Sequence, residues 1–162
     1  MIIATQASPE NRHTLEEAIK EVDANVVFMR HALAPGFGDP DNFSLSDCST
    51  QRNLDKAGRK QAHAIGVSIK KSSVLFNEVF SSQWCRCKET TELLKLGHWQ
   101  TFSGLNSFFQ GYADKSITLR DLELKLNKIN DDSGITLMVT HQVVIRAATG
   151  TSVASGELVA YN

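Results

Sequence analysis

Two arginines and two histidines of this chain each stand where an apolar segment ends. A guanidinium binds phosphate oxygens through two parallel hydrogen bonds, and a neutral imidazole is a nucleophile or base near pH 7. Together, these groups predict a site for a tetrahedral dianion. The alternative is that they make unrelated surface or capping contacts. The four residues are Arg30, His31, Arg86 and His141.

The apolar segments before these residues predict buried strands, and segments with helical spacing alternate with them. This alternation predicts an α/β protein, a three-layer α/β/α sandwich with a mostly parallel central sheet. Ligands of such sheets bind outside the carboxyl ends of the strands, where the four residues would converge. The predicted strands span residues 26–30, 77–82, 100–102, 135–140 and 158–161, and the predicted helices span residues 14–22, 55–71, 85–95, 118–129 and 142–148.

Length and charge limit the partners that the chain is expected to have. A chain of 162 residues suits a single core, which we assign to residues 25–162, after an N-terminal segment and short helix at 1–24. We expect residues 1–13 to be poorly ordered. With 17 Lys and Arg against 18 Asp and Glu, nothing indicates a nucleic-acid partner. No apolar run approaches the roughly 20 residues that span a bilayer.

The cysteines predict no metal site, because Cys85 and Cys87 have C-x-C spacing, which is not a standard zinc pattern. In an oxidising compartment Cys48 would pair with Cys85 or with Cys87, and free thiols are the other alternative. No signal peptide is visible. The sequence leaves open a cytoplasmic location and, for a mature form that has lost its signal peptide, a periplasmic or secreted one.

Four segments of the chain resemble the motifs of the histidine phosphatase superfamily, which includes the cofactor-dependent phosphoglycerate mutases. The segments occur in the family's order and cover residues 25 to about 150, and the chain is most similar to the small phosphatase branch. They are Arg30-His31-Ala32, the Leu-x-x-x-Gly-x-x-Gln-Ala pattern at 54–62, the serine-rich strand end at 81–90 with Arg86 and Thr90, and Val139-Thr140-His141.

The resemblance implies a role for each matching residue and implies no cofactor. His31 would attack phosphorus and form a phosphohistidine. Arg30 and Arg86 would bind the phosphoryl oxygens, and His141 would stabilise the charge of the transition state. Arg52 resembles an additional phosphate-binding arginine of small phosphohistidine phosphatases, and its alternative is a solvated loop residue.

The chain departs from the family where a carboxylic acid should protonate the leaving oxygen. In much of the family this acid follows a leucine in the loop after the second arginine, but here Leu105 is followed by Asn106 and Ser107, and one of these two holds the expected position. The family's other position for it, directly after the second histidine, holds Gln142. We assign Asn106 and Gln142 to substrate binding. The remaining candidate acids of loop 33–53 are Asp39, Asp41 and Asp47.

Without an acid, the enzyme would favour leaving groups that depart unprotonated, such as a phenolate, or a histidine from phosphohistidine. The sequence thus predicts a phosphatase that acts on a phosphomonoester or phosphohistidine. Its partner would be a small phosphorylated molecule or a phosphohistidine protein. A non-catalytic phosphate-binding or sensing module is the alternative that the missing acid suggests, and a phosphoglycerate-type mutase is a further one.

Overall fold

The computed structural model describes residues 3–5 and 12–162, with side chains from residue 14 onward. These residues form one sheet of seven strands and five helices. The strands are β1 (Ile3–Thr5), β2 (Arg12–Thr14), β3 (Val26–Arg30), β4 (Phe76–Ser81), β5 (Gln100–Thr101), β6 (Ile135–Thr140) and β7 (Leu158–Tyr161). The helices are α1 (Leu15–Val22), α2 (Lys56–Lys71), α3 (Cys85–Leu94), α4 (Lys115–Leu126) and α5 (Gln142–Thr149).

The centre of the sheet is parallel, as predicted. Its strand order is β2-β1-β7-β3-β6-β4-β5, in which β6 runs parallel to both β3 and β4. Arg30 lies opposite Thr140, and Ser81 lies opposite Val139. The three strands therefore end at nearly the same level. Strand β7 pairs antiparallel with β3, so the sheet is mixed rather than fully parallel.

Alternate side chains of the central strands point into two separate cores. Val27 and Met29 pack with residues of α1, α2 and α3 on one face. Val26 and Phe28 pack with residues of α4 and α5 on the other. Because β3 is buried on both faces, its sequence is a continuous apolar run rather than an alternating one. The predicted three-layer α/β/α sandwich is confirmed.

Two short strands lie in or overlap the segment that we expected to be poorly ordered. Strand β1 pairs with both β2 and β7, so these residues are part of the sheet. Three-residue strands are too short to produce a periodic pattern. Residues 1–2 and 6–11 lie outside the described residues. None of the helices in the described part of the chain is long and apolar enough to cross a membrane.

Candidate active site

The carboxyl ends of β3, β4 and β6 border a cavity of about 410 Å³. Backbone hydrogen bonds continue past the strand ends: the His31 N–H donates to the Thr140 carbonyl at 3.0 Å, and the Ser82 N–H donates to the Val139 carbonyl at 2.9 Å. These bonds continue the backbone pairing of the sheet to His31 and Ser82, so the sheet itself positions the residues of the site. The predicted residues that line the cavity are Arg30, His31, Arg52, Arg86, His141 and Gln142.

The His31 ring is buried and held in one tautomer. Its Nδ1 lies 2.8 Å from the Ala32 carbonyl oxygen, which can only accept, so Nδ1 carries the proton and Nε2 is unprotonated. Arg86 Nε donates to this Nε2 at 3.2 Å. Burial, followed by the charge of Arg86, lowers the pKa of His31 to about 3. At neutral pH the ring is therefore neutral, with its lone pair facing a guanidinium.

Arg86 lies in the first turn of α3, where Asp39 fixes its plane. Its Nη1 and Nη2 donate to the two Asp39 carboxylate oxygens at 2.8 and 3.3 Å. Asp39 also accepts from the Arg52 N–H and from Trp84 Nε1, each at 3.0 Å. Burial alone would raise the pKa of Asp39, but the hydrogen bonds from Arg86 and Arg52 outweigh it and lower that pKa. The carboxylate is therefore ionised, and both of its oxygens accept hydrogen bonds.

No free carboxylic acid borders the cavity among the described residues. Asp39 is the one carboxylate in its lining, and its two oxygens are engaged as described. Asp41 and Asp47 are exposed and are not part of the lining. Asp47 instead caps a short 3-10 turn, accepting from the Ser49 N–H and hydroxyl, and these bonds lower its pKa. The structure thus offers none of the three candidates as a free proton donor to the cavity.

Two further guanidiniums reach the cavity. Arg30 donates from Nη1 to the Val153 carbonyl at 2.9 Å, while its Nε is buried without a partner among the described residues. Arg52 donates to the carbonyls of Gly38 and Ala34, at 2.7 and 2.5 Å. Burial, then the charge of Arg86, lowers the pKa of both, to about 10 for Arg52. Three guanidiniums facing one carboxylate leave excess positive charge, which an anion would neutralise.

His141 stands at the start of α5 with its ring edge-on to His31, the ring centroids being 5.6 Å apart. Its Nε2 lies 2.8 Å from the Ser82 hydroxyl oxygen. Its Nδ1 is buried with no partner among the described residues. Burial and the charge of Arg86 hold its pKa well below the usual range, so this ring is also neutral at pH 7.

Asn106 lies in a buried network and does not line the cavity, contrary to its assignment to substrate binding. Its Oδ1 accepts from the Gln83 N–H at 2.9 Å and from the Ser82 hydroxyl at 3.2 Å. This places Asn106 behind Ser82, the residue that contacts His141. Ser107 and Phe109 line the cavity in its place. Gln142 does line the cavity, although its Oε1 already accepts from the Val153 N–H.

The structure contains one disulfide, between Cys48 and Cys85, which settles a pairing that the sequence left open. It joins loop 33–53 to the residue next to Arg86. Cys87 is buried and free, 3.5 Å from His141 Nε2, and burial raises the pKa of its thiol to about 12. The thiol is therefore protonated at neutral pH. No cluster of three or more potential metal ligands is found among the residues that the structure describes.

Sequence reasoning missed the Asp39–Arg86 pair and the hydrogen bond from Trp84 to Asp39. Asp39 is 47 residues from Arg86, and no local spacing links them. Trp84 has the pattern of a core residue, and its ring is almost fully buried. The one available signal was the position of Trp84, two residues before Arg86 at a predicted strand end.

Comparisons with known proteins find a shared fold. No family model and no curated protein matches the chain. The ecdysone phosphate phosphatase of Bombyx mori, solved with tungstate, matches with a TM-score of 0.61 at 12% identity, over 82% of this chain and 86% of its own. A candidate phosphohistidine phosphatase, SixA of Agrobacterium tumefaciens, matches with a TM-score of 0.57 at 17% identity, over 83% and 89%.

A candidate SixA from Nakamurella matches with a TM-score of 0.54 at 20% identity, over 75% of this chain. The match covers 61% of that protein, so the chain corresponds to less than two thirds of its length. At these identities the likeness concerns the fold. The chain therefore has the α/β fold of the histidine phosphatase superfamily, which is the fold that its sequence motifs implied.

Proposed function

We propose that this chain is a phosphatase that hydrolyses a phosphomonoester or phosphohistidine through a covalent phosphohistidine at His31. The observation that carries the proposal is the state of the His31 ring: Nδ1–H is bound to the Ala32 carbonyl and Nε2 is unprotonated beside Arg86. A neutral imidazole fixed in this tautomer, in a site with excess positive charge, is suited to attack a phosphoryl group.

The reaction has two steps. The Nε2 lone pair gives up the hydrogen bond from Arg86 Nε and forms a bond to phosphorus. The bond from phosphorus to the leaving atom breaks at the same time, and its electron pair departs with the leaving group. Water then attacks phosphorus, the N–P bond breaks, and its electrons return to Nε2. The attacking water gives up a proton, which the departed leaving-group anion takes up through solvent, and inorganic phosphate leaves. In both steps Arg30, Arg86 and His141 would face the equatorial oxygens, where the negative charge is spread.

His141 fits this role through its orientation. Its Nε2 lies 2.8 Å from the Ser82 hydroxyl oxygen, and its Nδ1 has no partner among the described residues, so in the tautomer protonated on Nδ1 the ring has a free N–H. That N–H would donate to a phosphoryl oxygen. Two phosphatases of this fold, the SixA protein histidine phosphatase and the ecdysone phosphate phosphatase, were solved with tungstate, a tetrahedral oxyanion. These complexes support the proposal that a protein of this fold binds a tetrahedral oxyanion.

The proposal is tested with 4-nitrophenyl phosphate, whose leaving group needs no acid. We expect wild-type turnover and at least a 10³-fold loss in His31→Ala, since the covalent route is then closed. His63→Ala is the matched control, because His63 is exposed on α2, and it should keep full activity. Equal turnover by His31→Ala and wild type would overturn the proposal.

A phosphate-binding module without turnover is the second candidate. It is favoured by one observation, the lack of a free carboxylic acid in the described cavity lining. A panel of substrates with different leaving groups separates the two functions. Binding of inorganic phosphate or tungstate with no turnover of aryl phosphate, acetyl phosphate or a phosphoramidate would identify a binding module.

A further inference from the structure

The lining of the cavity has a charged part, which we call the floor, and an apolar part, which we call the mouth. The floor contains the charged and imidazole groups of the lining around His31, and one of them, Arg52, donates to the carbonyls of Ala34 and Gly38 in the mouth. The mouth consists of segment 33–38, Phe109 and Val143, whose side chains are apolar. Phe37 is 87% exposed and Phe109 is 48% exposed, although each borders the cavity. A large apolar side chain left open beside a ligand cavity is typical of a binding surface.

The two phenylalanines form one wall of fixed geometry. Their rings pack edge to face with centroids 5.1 Å apart. Behind them, Gln110 binds the backbone of Asp39 on both sides, accepting from its N–H at 2.6 Å and donating to its carbonyl at 3.1 Å. This bond pair ties the segment of Phe109 to the loop of Phe37. The wall is therefore held in place relative to the Arg86–Asp39 pair below it.

The chemistry of the floor limits the leaving group. The one carboxylate of the described lining, Asp39, is ionised and bound to Arg86, so it cannot donate a proton. A leaving alkoxide requires that proton, and general acid catalysis contributes about 10² to 10⁴ in rate. A phenolate leaves without it. The floor thus favours aryl esters for their leaving group, and the mouth favours them for their apolar ring.

We propose that the substrate of this site is an aryl phosphomonoester with an uncharged, apolar body, whose aromatic ring packs against the wall formed by Phe37 and Phe109. This inference rests on the proposed phosphatase activity and narrows its substrate class. A polyol phosphate or a nucleotide would place hydroxyls or charges against the two phenylalanine rings, which offer them no hydrogen-bond partner. The cavity, at about 410 Å³, has the size of a small-molecule site and has room for more than one ring.

The experiment compares three substrates. 2-Naphthyl phosphate has a good leaving group and a large ring, cyclohexyl phosphate has a ring and a poor leaving group, and acetyl phosphate has a good leaving group and no ring. For the wild type we expect kcat/KM for 2-naphthyl phosphate to exceed that for cyclohexyl phosphate by at least about 10²-fold. Phe37→Ala should lower kcat/KM about tenfold for 2-naphthyl phosphate and less than twofold for acetyl phosphate.

Leu75→Ala is the control for loss of an exposed apolar side chain. Leu75 is 80% exposed and precedes β4, at the opposite end of the strand from the site, so this variant should match the wild type on all three substrates. Cyclohexyl phosphate turned over as fast as 2-naphthyl phosphate would overturn the inference. So would a Phe37→Ala loss that is equal on acetyl phosphate.

These results leave the phosphatase proposal standing as long as turnover depends on His31. If neither these three substrates nor a phosphoramidate, assayed beside them, is turned over, the proposed function itself fails and the substrate class fails with it. Fast turnover of the phosphoramidate with slow turnover of both aryl and alkyl esters would keep the phosphatase and overturn the aryl assignment.

Discussion

The Asp39 carboxylate accepts four hydrogen bonds inside the protein: two from Arg86, one from Trp84 Nε1 and one from the Arg52 N–H. With so many donors it stays ionised and fixes the plane of Arg86, so that Arg86 Nε faces His31. In the sequence Asp39 was a candidate proton donor. In the structure it is instead the residue that orients the guanidinium next to the proposed nucleophile.

The ionisation of His31 can be measured directly. We expect its imidazole to titrate near pH 3 in the wild type, because burial and the charge of Arg86 both disfavour the imidazolium. Arg86→Gln removes that charge and should raise the pKa of His31. Arg120→Gln, at an exposed arginine of α4, should leave it unchanged. The measurement is an NMR titration of the His31 ring nitrogens, and a wild-type pKa near 6.5 would contradict this prediction.

The same pKa has a consequence for stability. An unfolded histidine titrates near 6.5, so between about pH 3 and 6.5 the unfolded state binds more protons than the folded state. The contribution of His31 to stability is therefore present above pH 6.5 and is lost as the pH falls toward 3. Burial also lowers the pKa of His141, so the contribution of His141 to stability is likewise lost as the pH falls.

Among the larger elements, loop 33–53 depends on a close approach of α2. Asp55 caps this helix by accepting from the Gly58 N–H at 2.8 Å. A Cβ on Gly58 would lie 1.9 Å from the Leu33 carbonyl oxygen, so only glycine allows the first turn of α2 to pack against the start of the loop. Since Leu33 lines the cavity, this contact links the helix to the site.

A pair of glycine variants tests this link. Gly58→Ala should destabilise the protein and raise KM for an aryl phosphate, because the backbone at Leu33 must move. Gly66→Ala is the matched control on the same helix: its Cβ would lie 2.2 Å from the Leu94 carbonyl oxygen, at the end of α3 rather than in the cavity lining. It should lower the unfolding midpoint with little change in KM. Equal changes in KM would argue against the link.

Elements with strong local patterns were predictable, whereas long-range pairings were not. The apolar runs of β3 and β6 identified both strands and placed His31 and His141 at their ends. The start of α4 was predicted wrongly at Thr118, because Asp114 is the actual cap, accepting from the Ile117 N–H at 2.8 Å. Aspartate and threonine both serve as helix caps, so sequence alone could not choose between them.

At the scale of the whole molecule, the Cys48–Cys85 disulfide anchors loop 33–53, which contains no α-helix and no strand. The Cys48–Cys85 bridge closes a segment of 37 residues and attaches the loop to the helix that carries Arg86. Closing a segment of this length lowers the entropy of the unfolded chain, worth about 4 kcal/mol in the chain-entropy account.

Reduction should therefore lower the free energy of unfolding by up to about 4 kcal/mol. Urea denaturation with and without reductant measures this difference. The double variant Cys48→Ser/Cys85→Ser is the control and should be insensitive to reductant. A wild type whose unfolding free energy does not change on reduction would contradict the stabilising role of the bridge.

The central claim is that His31 Nε2 carries the phosphoryl group during turnover. The direct measurement is to mix enzyme with excess 4-nitrophenyl phosphate, quench in alkali, in which phosphohistidine survives, and map the modification by peptide mass spectrometry. We expect one phosphoryl group on the peptide that contains His31, and none in His31→Ala. A phosphoryl group on another residue, or turnover with no phosphoenzyme at any time, would contradict the account.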